Sequence, residues 1–490
     1  MTNSTELTPA ERRVREAFPL GERVDFGEDA DDDPAAGASW GPERTLRAEV
    51  LRALLLGGPV RPDRTAGLNV RGARITGVLD LKYGTVPHPV RLRACHFDEV
   101  PDLYGARAVT LVLTDSVLPG LTAGNLRVDN VVRITCCRIR GPVRLAGARI
   151  AGAVFANQAR LGTPGEPAEE PVLQLNHADV GTDLWAEGLV CHGRLRMNGT
   201  TVGGQVNLTD AHLSAPGDVA LHAETLTVGT DVHAMGLTAQ GQINLSGARI
   251  PRHLSFNRAR LSHPGGQALR ATSSVIGELW MREAVPVVGE VTLRRAQVDV
   301  LHVPPGAWPG PVGFEGFGYR VLEPRLPAAQ RLPMLEREVA GYLPSVYEQL
   351  AAAYRTVGDD AAARAVQLAR LRRHRGTLPW YARLWGLLQD AAVGYGFRPL
   401  RAAGWLLLLL CTGTAAFALH HPAALKPSEA PEFNPLFYTL DLLLPIIDFG
   451  QEGAFAPRGW YQWLSYALIV MGWILATTIA AGVTRSLNRQ

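Results

Sequence analysis

One short phrase recurs through this chain: Gly72-Ala-Arg-Ile75-Thr-Gly, Gly147-Ala-Arg-Ile150-Ala-Gly and Gly247-Ala-Arg-Ile250, with Ala159-Arg-Leu161 and Ala259-Arg-Leu261 as looser copies. Alternating apolar residues precede it, as in Val143-Arg-Leu145 and Ile243-Asn-Leu245. A short strand, a small residue, an aliphatic residue and a glycine corner, repeated this way, call for stacked coils in which each repeat buries its face only against its neighbours. A compact enzyme core with one central sheet does not produce such a pattern.

Apolar positions mark the coil length. Ala186, Met197 and Leu208, then Ala223, Ala234, Leu245 and Phe256, stand 11 residues apart within each run, and two such steps make a coil of about 22 residues, with coils rising ~4.8 Å each. Some ten coils would form a rod about 50 Å long. Pro164-Gly165, Pro216-Gly217, Pro264-Gly265 and Pro309-Gly310 impose a longer period. Because Pro-Gly breaks ladder pairing, each reads as a surface loop leaving the same side of every second coil.

The Ala-x-Ile/Leu-x-Gly units resemble degenerate pentapeptide repeats over about half the chain. That resemblance implies a right-handed parallel β-helix, aliphatic inside and small at the corners. Some members mimic acidic DNA, but Arg74, Arg149, Arg160, Arg249, Arg258 and Arg260 give this surface a basic cast, so that function does not transfer. The abundance of Ala, Arg, Gly and Leu points to a bacterial source of actinobacterial type.

The rest of the chain divides around this array. Residues 1–65 read as an N-terminal helical cap, with helices over Glu11–Ala17 and Pro42–Leu56 and a solvated acidic linker (Glu28, Asp29, Asp31, Asp32, Asp33) between them. That linker lacks the alternating oxygens, glycine turn and distal glutamate of a calcium loop. The solenoid spans 66–312. Residues 313–400 form a second helical cap, in which Tyr347-Glu-Gln-Leu350 through Ala365 resembles one tetratricopeptide-type helix pair covering an otherwise open edge. A short amphipathic helix follows around Trp380–Leu388.

Residues 401–490 read as a membrane module. Apolar stretches over about 402–420 and 460–484 have spanning length, and Trp460, Tyr461 and Trp463 suit an interfacial belt. Arginines before the first stretch and Arg485 and Arg489 after the second place both termini in the cytoplasm of a bacterium, as a multi-pass inner-membrane protein. Arg370, Arg372, Arg373, Arg375 and Arg383 would then meet anionic headgroups. The segment 433–450 is too short to span and suits a re-entrant or interfacial loop, where Asp441, Asp448 and Gly450 could line a pore once chains assemble as a homo-oligomer.

Chemistry leaves little trace. There is no GxGxxG after a strand, no P-loop, no haem-attachment CxxCH and no nucleophile elbow. Five scattered cysteines, Cys95, Cys136, Cys137, Cys191 and Cys411, make neither a disulfide framework nor a zinc pair, and Cys136 and Cys137 fall on opposite faces of a strand. His222, His233 and Asp231 are the nearest approach to metal ligands. The net charge of +3 argues against nucleic acid. The expectation is therefore a membrane-anchored β-helical scaffold with a protein partner on its surface, with no evident catalytic site and no cofactor or metal motif, although a solenoid site assembled from distant coils stays open. A solenoid-gated pore and a membrane-associated oxidoreductase are the alternatives.

Overall fold

The computed structural model describes residues 6–27, 32–166, 169–283, 285–380, 399–426, 430–444 and 447–487. The chain divides into two compact units, residues 1–359 and 360–490.

The first unit is a parallel β-solenoid of about 12 turns with helices at its ends. Over the middle coils each turn gives two very short strands to each of two sheets, most of them a pair of residues with one side chain in and one out; in later coils the two rows merge into longer strands, as in His212–His222 and Arg260–Arg270, with a shift of register at the Pro-Gly. In one row of the first sheet Val128, Ile150, Val180 and Val202 point inward while Arg127, Arg149, Asp179 and Thr201 point outward. The second row reverses the order: Val132, Val154, Leu184 and Val206 are buried. The 22-residue advance from Arg127 to Arg149 and from Arg138 to Arg160 sets the coil length. Ala186, Met197, Leu208, Ala223, Ala234, Leu245 and Phe256 are all interior. An interior void among coils 134–208 is about 10 Å³ and lined only by aliphatic residues, at the lower limit for one water and without polar partners for it.

Two corners per coil turn through a residue with positive φ. At one of them, from Tyr83 to Ser273, side-chain-bearing residues alternate with glycine: Tyr83, Gly105, Asn125, Gly147, His177, Gly199, Thr225, Gly247, Ser273. A Cβ on Gly147 would run into the Asn125 amide, and one on Gly199 into the His177 ring. The glycine therefore makes room for the side chain of the preceding coil as well as tolerating the left-handed conformation. The Gly-Ala-Arg-Ile phrase at Gly147 and Gly247 is this corner plus the strand after it; at Gly72 the same phrase marks the other corner, before a strand of the second sheet.

The Pro-Gly pairs at 164–165, 216–217, 264–265 and 309–310 share one edge. Pro164-Gly165 lies between Leu161 and Leu173, Pro216-Gly217 between Leu213 and Leu221, and Pro264-Gly265 between Leu261 and Leu269, each time between the two rows of the second sheet. Pro309-Gly310 immediately precedes Val312–Gly313 in that sheet.

Both ends are closed. At the N-terminus, α1 (Pro9–Ala17) starts at a capping box in which Thr8 and Glu11 bond reciprocally, and buried Glu11 also receives Arg47 at 2.7 Å. Burial pushes the Glu11 carboxyl up, but the Arg47 bonds outweigh it and hold the group below its ordinary range. The expected helix over Pro42–Leu56 begins later. Thr45–Arg47 is a strand paired with Arg74–Thr76, and α2 covers Ala48–Gly57, because an open sheet edge captures those residues. Val24–Asp25 likewise pairs with Val70–Arg71. The acidic linker is partly bound rather than solvated: Asp32 meets Arg44 at 2.9 Å and Asp33 meets Arg138 at 3.0 Å. Glu28, Asp29 and Asp31 lie outside the described residues.

At the other end, α3 (Ala328–Leu335) and α4 (Pro344–Thr356) cover the last coil. Arg331 is 1% exposed and donates to the carbonyls of Val303 and Pro324. The backbone of Arg337 and Val339 bonds to Val312, satisfying an edge that would otherwise be open.

The second unit contains helices α5 (Asp360–Thr377), Pro399–Leu419, Pro435–Leu443 and Trp460–Leu487. Among the described residues no helix is long and apolar enough to cross a membrane. The expected two-helix transmembrane hairpin is therefore corrected, and with it the multi-pass inner-membrane placement. From the two stretches that suggested spans, Phe417 and Leu468 join Tyr438, Leu442, Leu443 and Phe455 in one buried cluster, while Leu407, Leu408, Val470 and Trp473 are exposed. Tyr461, expected in an interfacial belt, packs on Phe417 and stacks on His420.

Candidate functional site

The second row of the first sheet carries outward, in register, Asn207, His233, Ser255, Trp280, His302 and Glu323. Around it lies a connected polar cluster drawn from four successive coils. Asp231 Oδ1 accepts from the His253 backbone N–H at 3.1 Å and lies 2.8 Å from His253 Nδ1. Arg252 Nη1 is 3.7 Å from the other oxygen. On the next coil, Glu278 Oε2 accepts from the Trp280 indole N–H at 2.7 Å and stands 3.9 Å from His253 Nε2. One coil further, His302 Nε2 approaches the same oxygen at 3.3 Å, while His302 Nδ1 meets Arg282 Nη2 at 3.3 Å. The Trp280 ring sits edge-on between the two imidazoles, at 5.3 and 5.0 Å, and Arg282 lies 4.4 Å over it.

Hydrogen-bonding capacity fixes the protons. A carboxylate only accepts, so His253 carries its hydrogen on Nδ1. A guanidinium only donates, so His302 accepts at Nδ1 and donates from Nε2. His302 is thus neutral, and burial followed by the Arg282 charge holds its pKa below the ordinary value against the opposing pull of Glu278. For Asp231, burial works upward but is outweighed by the bonds from His253. For Glu278, burial again works upward and is outweighed by the Trp280 bond and the two histidines. Both carboxylates stay ionised.

Among the described residues no group of His, Cys, Asp and Glu could hold a metal ion. Of the histidines singled out by sequence, His222 faces Glu224 at 3.5 Å, and Asp231 is engaged by His253 rather than by its neighbour His233. The Ser255 hydroxyl is buried without a hydrogen-bond partner. What the surface offers is a fixed set of donors, acceptors and one aromatic ring. Glu278 and His253 are about one-third exposed and Arg252 is 62% exposed.

The other sequence candidates fall elsewhere. Asp441 is buried, and its carboxylate accepts from the backbone N–H groups of Phe449, Gln451 and Glu452. It holds a turn together. Asp448 accepts from the Gly450 N–H at 2.7 Å, and Gly450 takes φ 77. Arg370, Arg372, Arg373 and Arg375 lie in the second half of α5, the first and last half-buried and the middle two exposed. Arg383 lies outside the described residues. Cys95, Cys137 and Cys191 are interior, their thiols pushed by burial to about 12, whereas Cys136 sits at a positive-φ corner and Cys411 is exposed.

Linear reading missed the cluster because its partners are a coil apart. Asp231 and His253 are separated by 22 residues, and Glu278 and His302 by 24. A search for titratable pairs at the coil spacing would have found them. No family model, curated protein or solved structure matches the chain.

Proposed function

We propose that the protein is a binding scaffold built on degenerate pentapeptide-like repeats, whose recognition face is the set of coils from Asp231 to His302. One observation carries this reading: Asp231, His253, Glu278 and His302 are joined into a single chain of polar contacts on the outer face. A rigid rod spreads such a surface at no cost in ordering. Aromatic and arginine side chains such as Trp280 and Arg282 are the types that dominate protein recognition.

The test is site-specific photo-crosslinking in the native host. A crosslinking residue at exposed Asp299, next to the cluster, captures one defined protein, and Trp280→Ala abolishes the adduct. The same residue at Arg196, on the other sheet, gives none. Equal adducts at both positions, none at either, or turnover of a defined substrate lost in Glu278→Gln overturns the reading.

A further inference from the structure

The first row of the first sheet carries a second feature. Arg107, Arg127 and Arg149 point outward from three successive coils in direct register, and all three are exposed. Among the described residues none of their guanidinium groups makes an ion pair or hydrogen bond. Directly opposed like charges destabilise a sheet, so the arrangement costs the fold something and returns nothing within the chain. Around it, Arg91 and Arg133 add positive charge on the neighbouring row, and Arg133 is held over the Phe155 ring at 3.9 Å. The nearest carboxylates along the chain and the row are Asp129 and Asp179, the latter ending the run of arginines in register.

The same molecule displays how one arginine of such a row is satisfied. On the second sheet Arg138 and Arg160 are stacked in the same way, and there an acidic, non-repetitive segment of the chain crosses the coils. Asp33 places its two carboxylate oxygens 3.0 and 3.1 Å from Arg138 Nη1, while Asp32 takes Arg44. The Arg107–Arg127–Arg149 row presents the same outward guanidinium chemistry without an occupant.

We propose that this row is a docking site for an acidic, extended polypeptide segment of a partner protein. Its carboxylates would meet successive guanidinium groups as Asp33 meets Arg138. Arginine suits this task because its planar fork presents paired donors to a carboxylate and keeps its charge at any working pH. The proposal rests on the scaffold reading but uses a different row from the Asp231–His302 cluster, so either can fail alone.

The probe is a fluorescein-labelled oligoglutamate peptide, titrated with the full-length protein at low and physiological salt and followed by anisotropy. Arg127→Glu weakens binding about tenfold or more, the loss of one charged contact plus new repulsion. Arg127→Lys retains part of the affinity, and Arg320→Glu, an equal charge change on an exposed residue of the last coil, leaves it within about twofold. Arg127→Gln, which relieves repulsion, melts no lower than wild type, so loss of binding is not loss of fold. Three results overturn the proposal: no effect of Arg127→Glu, an equal effect of Arg320→Glu, or tighter binding of a single-stranded oligonucleotide than of the peptide, which would make nucleic acid the occupant.

Discussion

Gly147 sits at φ 68 beneath the Asn125 side chain, so two independent constraints act on one position. An alanine there meets left-handed backbone strain and a crowded neighbour together. Gly147→Ala therefore lowers unfolding free energy by about 1–3 kcal/mol, read as a fall in the thermal midpoint. Gly77, with φ 81 and open space around it, shows the strain term alone and loses less on the same change. Gly147 and Gly247 are conspicuous in the sequence because they open the Gly-Ala-Arg-Ile phrase. The partner side chains above them are not, since Asn125, His177 and Thr225 share no chemistry and a whole coil separates them from the glycine each one covers.

At the scale of elements, the caps depend on buried charge. Arg331 spans from α3 to two carbonyls of the last coils, and burial holds its pKa below the ordinary arginine value. Arg331→Ala leaves the Val303 and Pro324 carbonyls unpaired, at a cost of about 3 kcal/mol or more, measured as a lower urea midpoint. Arg331→Lys, with one cation but no fork, falls between. The same scale explains where linear reading failed. Thr45–Arg47 has no strand signature and becomes a strand because the Arg74–Thr76 edge is there to pair with. The apolar stretches around Phe417 and Leu468 suggest spans by composition, yet among the described residues no helix is long and apolar enough to cross a membrane, and Phe417 and Leu468 themselves pack with Tyr438 and Leu442.

Across the whole solenoid the buried rows were legible from the 11-residue rhythm of Ala186, Met197 and Leu208, since a coil interior imposes one residue type at fixed intervals. The recognition cluster was not, because loops make its spacing irregular. That cluster sets how the unit responds to acid. Asp231 and Glu278 are depressed carboxylates, so their stabilisation is present above the unfolded values and disappears as pH falls through the folded ones. His302 is a depressed imidazole; below its ordinary value of about 6.5 the unfolded chain takes the proton first. All three act in the same direction, and stability falls on acidification. Between about pH 7 and pH 5 only His302 of the three contributes. In that window wild type loses more of its melting temperature than His302→Gln, and parallel curves for the two proteins would refute the assignment.

The alternation of Tyr83, Gly105, Asn125, Gly147, His177 and Gly199 along one edge has a further consequence for how such a chain can lengthen or shorten over generations. A single coil is not an interchangeable part. Excising residues 147–176 would set His177 directly upon Asn125, whereas excising 125–176 would return His177 to a glycine, Gly105, and restore the sequence of large and small. From Tyr83 to Ser273 the unit whose loss keeps large over small is therefore the pair of coils, and Pro164-Gly165, Pro216-Gly217 and Pro264-Gly265 recur at that same interval.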